Sequence, residues 1–452
     1  MPRKTCLLSL LFVLLFPSAG VSAAAPAELK ENRAVLDFPN TITFHAQIES
    51  DVNITSVVLE YGTEQQTCGE VVAKAFPSFS PSTSVNVEWT WEMRQSGSLP
   101  PGATIWWRWR YTDESGQETL SEQKAISWLD NVHDWETISK GSIRLHWYDG
   151  STDFANDLVD AAVTGLERIE KDAGLKPEEP VDLYIYRSLN DLRDAVLYEP
   201  SWVGGMAFPE HNLVVIGIAP ADVEWGRRTE VHELTHVLVG DLTFSCLGDV
   251  PTWLNEGLAV YAEGDLEPFS KNQLDNAIKN DTLFSVRSLS GSFSEISEKA
   301  NLSYSQSYSI VKFLIEEYGR ERMTSLLVAL RDGNTIDAAL QQVYGFNVDG
   351  LEDAWRASIG AKDRSAVPNP TPASTATIVP TIVPVSGAPA AVTPTPFTFP
   401  ATPTPNAASG VNPGAATTLG VVAILAACAC ILGVLLLAVL ALVLILRARK
   451  EN

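Results

Sequence analysis

The spacing of apolar positions changes several times along this chain, and each change predicts a different kind of element. Residues 6–16 are almost unbroken apolar sequence after a basic start, with small residues at Val21 and Ala23. That is the pattern of a secretory signal cut near Ala23 to Ala25. From about Pro26 to Asp130 apolar and polar residues alternate by two, the period of strands. In the stretch TIWWRWRY, Ile105, Trp107, Trp109 and Tyr111 share one face, and Trp106, Arg108 and Arg110 the other. In VEWTWEM, Trp89, Trp91 and Met93 fall together. Turn residues at Pro100-Pro101-Gly102 and Ser115-Gly116 separate the strands, which predicts a small β-sandwich of immunoglobulin-like type.

Beyond residue 140 the period alternates between helix and strand. DFANDLVDAAVTGLERIEKDAG is an amphipathic helix stopped by Gly174. Val181–Tyr186 and residues 212–218 read as buried strands, and residues 204–212 as a further strand at the border of a cleft. After Asp265 the pattern is helical, clearest in SQSYSIVKFLIEEYG and MTSLLVALRDG. Residues 365–446 then carry no Asp, Glu, Lys or Arg. Residues 367–413 repeat Pro, Thr, Ala and Val and predict an extended stalk. Residues 419–446 are uncharged and long enough to span a bilayer, and the basic residues 447–450 place the C-terminus in the cytoplasm. The predicted order is a signal peptide (1–25), a β-sandwich (26–130), a second folded domain (131–362), a Pro/Thr-rich linker (363–418), a transmembrane helix (419–446) and a cytoplasmic tail (447–452).

Composition narrows the partners. A hydrophobic content of 45% is ample for packed cores, and a net charge of −23 argues against nucleic acid or an anionic membrane surface as partner. The membrane enters only through the single C-terminal helix. Cys6 leaves with the signal, and Cys428 and Cys430 lie in the span, so Cys68 and Cys246 remain outside, free or paired with each other. Eight of the 12 Trp lie between Trp89 and Trp147. They fill the core of the sandwich or form a carbohydrate platform, and a packed core is the simpler reading.

The chemistry concentrates in VHELTHVLVG, residues 231–240. In a helix of about 3.6 residues per turn, His232 and His236 stack on one face, near enough to share one ion. Glu233 lies about 100° round the helix and flanks that ion as a base for the attacking water. The plain alternative is a helix that buries two histidines among Val231, Leu234, Val237 and Leu238. PTWLNEGLAVYAEG, residues 251–264, reads as a second helix and puts Glu256 among apolar residues, where an unpaired carboxylate is costly. Two imidazoles and a carboxylate, with a fourth position for water, are the ligand set of catalytic zinc.

VHELTH followed by WLNEGLAVY resembles the gluzincin metallopeptidases, in which H-E-x-x-H precedes a helix bearing N-E-x-x-A, matched here by Asn255, Glu256 and Ala259. The resemblance covers about residues 140–360. It implies an α+β peptidase domain, with a small mixed sheet, active-site helices and a helical C-terminal subdomain. It also implies one zinc ion (Zn2+) per chain on His232, His236 and Glu256, with Glu233 as general base. The segment LSYSQSYSIVKFL, residues 302–314, is similar to the aminopeptidase-like stretch whose tyrosine stabilises the oxyanion. That match falls on Tyr304, although Gln306 and Ser307 replace the Lys and Gly of the pattern. Tyr308, one turn on, is the fallback, and two tyrosines that merely pack against the helices are the alternative. GGMAF partly resembles the signature whose glutamate holds a free amine, but Ala207 stands in that place. This implies action within peptides instead of at their N-termini.

The sequence therefore predicts an outward-facing zinc metallopeptidase on one membrane anchor, acting on a peptide or protein substrate. The rival is a surface binding or adhesion protein with an inactive peptidase fold and the Trp-rich sandwich as its working part. His211 stands near the cleft strand, as a turn residue or a further neighbour of the metal.

Overall fold

The computed structural model describes residues 27–96, 99–197 and 204–364. The predicted signal, nearly all of the linker, the predicted span and the tail lie outside the described residues. Among the described residues no helix is long and apolar enough to cross a membrane.

Alternation by two builds the N-terminal sheet. Its strands are β1 (Glu28–Asp37), β2 (Thr41–Thr63), β3 (Ala73–Ala75), β4 (Ser82–Glu92), β5 (Thr104–Asp113), β6 (Glu118–Leu120) and β7 (Lys124–Ser127), with one helical turn, α1 (Met93–Ser96), after β4. β2 is the organiser. Its first half pairs with β1 and β4, and its second half with β5 and β3. Phe44 and Tyr61 lie on this same strand, about 56 Å apart were it straight, yet their ring centroids are 5.9 Å apart. The strand must fold over near residues 50–53, where its ladder with β4 is interrupted between Glu49 and Ile54, just before its ladder with β5 shifts register between Ile54 and Ser56.

The sequence predicts a small β-sandwich of immunoglobulin-like type. The hydrogen bonding instead forms one seven-stranded sheet, bent through β2 so that its halves enclose a shared core. Alternation specifies which face is buried, and both arrangements bury the same residues. The β5 faces are those the sequence predicts: Ile105, Trp107, Trp109 and Tyr111 are buried. Trp107, Trp109 and Trp128 belong to the core and do not form an open platform. On the other face Arg108 and Arg110 reach Glu60 of β2 at 2.7 and 3.0 Å. Burial would raise the Glu60 carboxyl, but hydrogen bonds from Arg110 and Arg108 outweigh it and hold its pKa at about 2.

The second sheet contains β8 (Glu136–Lys140), β9 (Ile143–Trp147), β10 (Val181–Tyr186), β11 (Gly205–Phe208) and β12 (Leu213–Gly217), in the order β11-β12-β10-β9-β8. The three central strands are parallel, and both edges are antiparallel. Crossovers require helices, and α2 (Thr152–Ala173) and α3 (Leu189–Ala195) supply them. Ser151 caps the start of α2 by accepting from the Phe154 amide, and Gly174 ends it at φ 75°, where a side chain would be strained. α4 (Val223–Thr243) then packs Leu234 and Val237 against the sheet and Val231 over Gly165 of α2.

The rest is helical: α5 (Thr252–Glu263), α6 (Pro268–Asn280), α7 (Ser297–Tyr318), α8 (Arg320–Arg331), α9 (Ile336–Tyr344) and α10 (Val348–Ser358). Their apolar faces make one core with Trp253, Leu314, Leu326 and Trp355. α5 and α7 approach so closely that a side chain on Gly257 would lie 2.5 Å from the Ser307 carbonyl oxygen. That contact sets α7 over the segment carrying Glu256.

Candidate metal centre

α4 is buried on two sides, with Leu234 and Val237 in the sheet core and Leu238 and Val239 in the helical core. Such a helix has little freedom to rotate, so the face carrying His232 and His236 is fixed. α5 begins after Pro251 and anchors Trp253, Leu254 and Leu258 in the helical core, which leaves Glu256 facing α4. The Nε2 atoms of His232 and His236 lie 3.3 and 3.4 Å from the same Glu256 oxygen, Oε2. Among the described residues these three offer ligand atoms all within 4.8 Å of one another.

The outer nitrogens are held as well. His232 Nδ1 is 2.8 Å from Glu263 Oε1, and His236 Nδ1 is 3.0 Å from Asn255 Oδ1. With Nδ1–H donating outward, both Nε2 atoms are directed at Glu256, the arrangement that orients imidazoles for a metal. Glu256 Oε2 is buried and lies at ion-pair distance from the imidazoles, but at angles that form no hydrogen bond. A buried oxygen left so, between two imidazole nitrogens, fits a divalent cation.

The electrostatics agree. Burial opposes charge on His232, but Glu256 and Glu263 outweigh it and raise its pKa to about 10. His236 is raised in the same way, against its burial, by Glu256. Glu256 is drawn well below the carboxylate range by the two imidazoles, although burial pushes the other way. The site thus concentrates negative potential where positive charge is favoured. Glu233 behaves differently: burial raises its carboxyl, and His236 and His232 only partly offset this. A carboxyl with a raised pKa beside a cation site is suited to taking and returning a proton.

The site opens on two cavities. One, of about 730 Å³, runs from Glu233, His236 and Glu256 toward the C-terminal end of α4, bordered by Met206 and Phe208 of β11. The other, of about 690 Å³, runs toward the N-terminal end past His232, Trp225, Arg228 and Tyr304. β11 is an edge strand of its sheet, and a side chain on Gly205 would lie 2.9 Å from Glu233 Cγ. Glycine there lets the edge pass directly beside Glu233.

Tyr304 lies with its ring edge-on to His232 at 6.3 Å and packed against Phe293 at 5.2 Å. Burial, and then the charges of Glu256 and Glu233, push its hydroxyl well above the usual tyrosine value, so it stays a donor. Tyr308 is turned elsewhere: its hydroxyl is 3.5 Å from Asp265 and 3.4 Å from Lys312 Nζ, beside a small cavity that His232, His236 and Glu256 do not line. Gln306 and Ser307, which depart from the aminopeptidase-like pattern, serve the packing. Gln306 is bonded to both backbone groups of Phe284, and Ser307 lies against Gly257. His211 sits in the 3₁₀ turn Pro209–His211 and contacts the Glu64 carbonyl, away from the cluster. Sequence reasoning missed Glu263 and Arg228. Glu263 falls seven positions after Glu256, on the same helical face, and its other oxygen is 3.0 Å from Arg228. That spacing was the available signal.

Residues 161–361 match the family model of the Peptidase MA superfamily. No curated protein matches the chain. Among solved structures, the bromine derivative of BhCBM56 is 11% identical, covering 21% of this chain and 88% of its own, with a TM-score of 0.16. Wild-type OgpA from Akkermansia muciniphila is 8% identical over 24% of this chain, at a TM-score of 0.18, and this chain spans 30% of its length. Catalytically inactive OgpA bound to an O-glycopeptide substrate is 9% identical, with the same coverage and TM-score. Likenesses this slight say nothing about the fold or the activity of this chain.

Proposed function

We propose that this protein is a zinc metallopeptidase that cuts within polypeptides, held on the outer face of a membrane by a C-terminal span. The observation that carries the reading is the convergence of His232, His236 and Glu256 beside Glu233, in a cleft bordered by an edge strand. The match of residues 161–361 to a peptidase superfamily supports it. The location rests on the sequence pattern of residues 1–25 and 363–452.

His232, His236 and Glu256 would hold the ion, oriented by Glu263 and Asn255. Bound zinc supplies Lewis acidity and a nucleophile at neutral pH. The free edge of β11 receives an extended substrate by strand addition. Glu233, beside that edge, takes the proton of the attacking water and returns it to the leaving amine. The Tyr304 hydroxyl donates to the oxyanion as it forms. The cavities lie on both sides of the cluster along α4, so a substrate chain continues in both directions past the scissile bond. From Glu224 to Thr243 the trough follows roughly 29 Å of helix, room for about eight or nine extended residues. Ala207 in β11 offers no carboxylate for a free amine, which also favours cleavage within chains.

The test combines metal analysis with one substitution. The protein should carry one zinc, and Glu233→Gln should keep it while abolishing peptide hydrolysis. Folded protein without zinc, or a Glu233→Gln variant that still cuts, would end this reading.

A further inference from the structure

The N-terminal sheet reaches the cleft through one short segment. After β2, Glu64 N donates to the Thr104 carbonyl at 2.9 Å, which continues the ladder briefly. The segment then clamps the turn that follows β11. Gln66 N donates to the Glu210 carbonyl at 2.9 Å, and His211 Nδ1 lies 3.0 Å from the Glu64 carbonyl. The Gln66 side chain donates to Asp241 Oδ1 of α4 at 2.7 Å. Gln66 is thereby positioned from two sides while remaining exposed, and it lines the 730 Å³ cavity with His236 and Glu256.

Two residues on, Cys68 is joined to Cys246, 178 positions away. Cys246 lies in the loop between α4 and α5, whose Phe244, Ser245 and Gly248 line the same cavity. One covalent bond therefore holds two walls of the cleft together, and one of those walls comes from the other sheet.

Building on the peptidase reading, we propose that the N-terminal sheet completes the substrate site, with Gln66 as a subsite residue for extended polypeptides. β11 starts beside Glu233 and ends at Phe208, about 10 Å further on, and the clamped turn with Gln66 follows directly. A chain lying along β11 meets Gln66 three to five residues from the scissile bond. One amide hydrogen of Gln66 is used by Asp241, which leaves its carbonyl oxygen and second hydrogen for the backbone of the substrate. Recognition of this kind depends on substrate length and not on side-chain identity. The partner is an unfolded or extended polypeptide that runs several residues past the cut.

Crosslinking tests this separately from catalysis. In the full chain carrying Glu233→Gln, p-benzoylphenylalanine is placed at Gln66 or, as a control inside the cleft, at Phe208, and irradiated with random decapeptides. Both positions should label. Labelling from Phe208 but not from Gln66 overturns the subsite and leaves the peptidase reading intact, whereas labelling from neither removes both. In the active chain, Gln66→Ala should raise KM for decapeptides roughly three- to tenfold, the worth of about one hydrogen bond. kcat should not change, and tetrapeptides, which end before Gln66, should be unaffected. An equal KM change for both lengths, or none for either, also refutes the assignment.

Discussion

Replacing Cys68 and Cys246 together by serine should cost a large share of the stability of the folded unit. Both cysteines are exposed, so two hydroxyls add little desolvation and the loss comes from removing the crosslink. The bond closes a loop with a sequence separation of 178. In the chain-entropy model a loop of that size restricts the unfolded state by about 17 cal/mol/K, or about 5 kcal/mol at 25 °C. Unfolding entropy of about 2.1 cal/mol/K per residue, taken over the unit ending at Pro368, converts this to a melting point lower by about 7 °C. Differential scanning calorimetry of the oxidised wild type and the double variant measures the shift. Hydrogen exchange locates the effect, with protection falling first in residues 64–70 and 244–250. A melting point within a degree of wild type would refute the idea that this bond closes so long a loop.

Glu263→Gln should weaken zinc binding by about 10- to 100-fold, because it removes the carboxylate that orients His232; competition with a chelator measures this, and unchanged affinity would show that Glu263 does not position the ligand. Tyr304→Phe should lower turnover by about 10²–10³ with zinc content intact, while Tyr308→Phe, whose hydroxyl faces Asp265 and Lys312, should stay within a few-fold; near-full turnover of Tyr304→Phe would move the donor elsewhere. Glu60 has a folded pKa of about 2 against an ordinary 4.5, so its stabilisation is full above pH 4.5 and is lost as pH falls toward 2. Glu60→Gln should therefore destabilise the fold at pH 7 by about 1–2 kcal/mol, with solvent around the arginines screening the pair, and progressively less below pH 4.5, read by urea denaturation across that range; a pH-independent difference would contradict the ion-pair origin.

Short-range pattern made much of this protein legible. The alternation in β5 predicts which tryptophans are buried, because a strand's period is local. The cap and stop of α2 lie at Ser151 and Gly174, where backbone groups at the helix ends need partners or a positive φ. The convergence of His232, His236 and Glu256 was readable for the same reason: His232 and His236 are one helical turn apart, and Glu256 is a carboxylate in an apolar helix, where it needs a partner. Glu263 and Arg228 follow the same helical spacing and were readable in principle. The signal, linker and span predicted from composition fall outside the described residues.

Tertiary structure decided whatever depends on distant faces meeting. No local period distinguishes two sheets from one strand folded over at residues 50–53, since both bury the same alternate positions. The Cys68–Cys246 pairing joins segments 178 positions apart, and only the clamping of the β2–β3 segment onto the turn after β11 brings them together. Whether Tyr304 or Tyr308 faces His232 depends on how α7 is rotated, and the close approach of Ser307 to Gly257 fixes that rotation. Periodicity encodes the face a segment buries, while the partner of that face is chosen by packing among residues the chain separates widely.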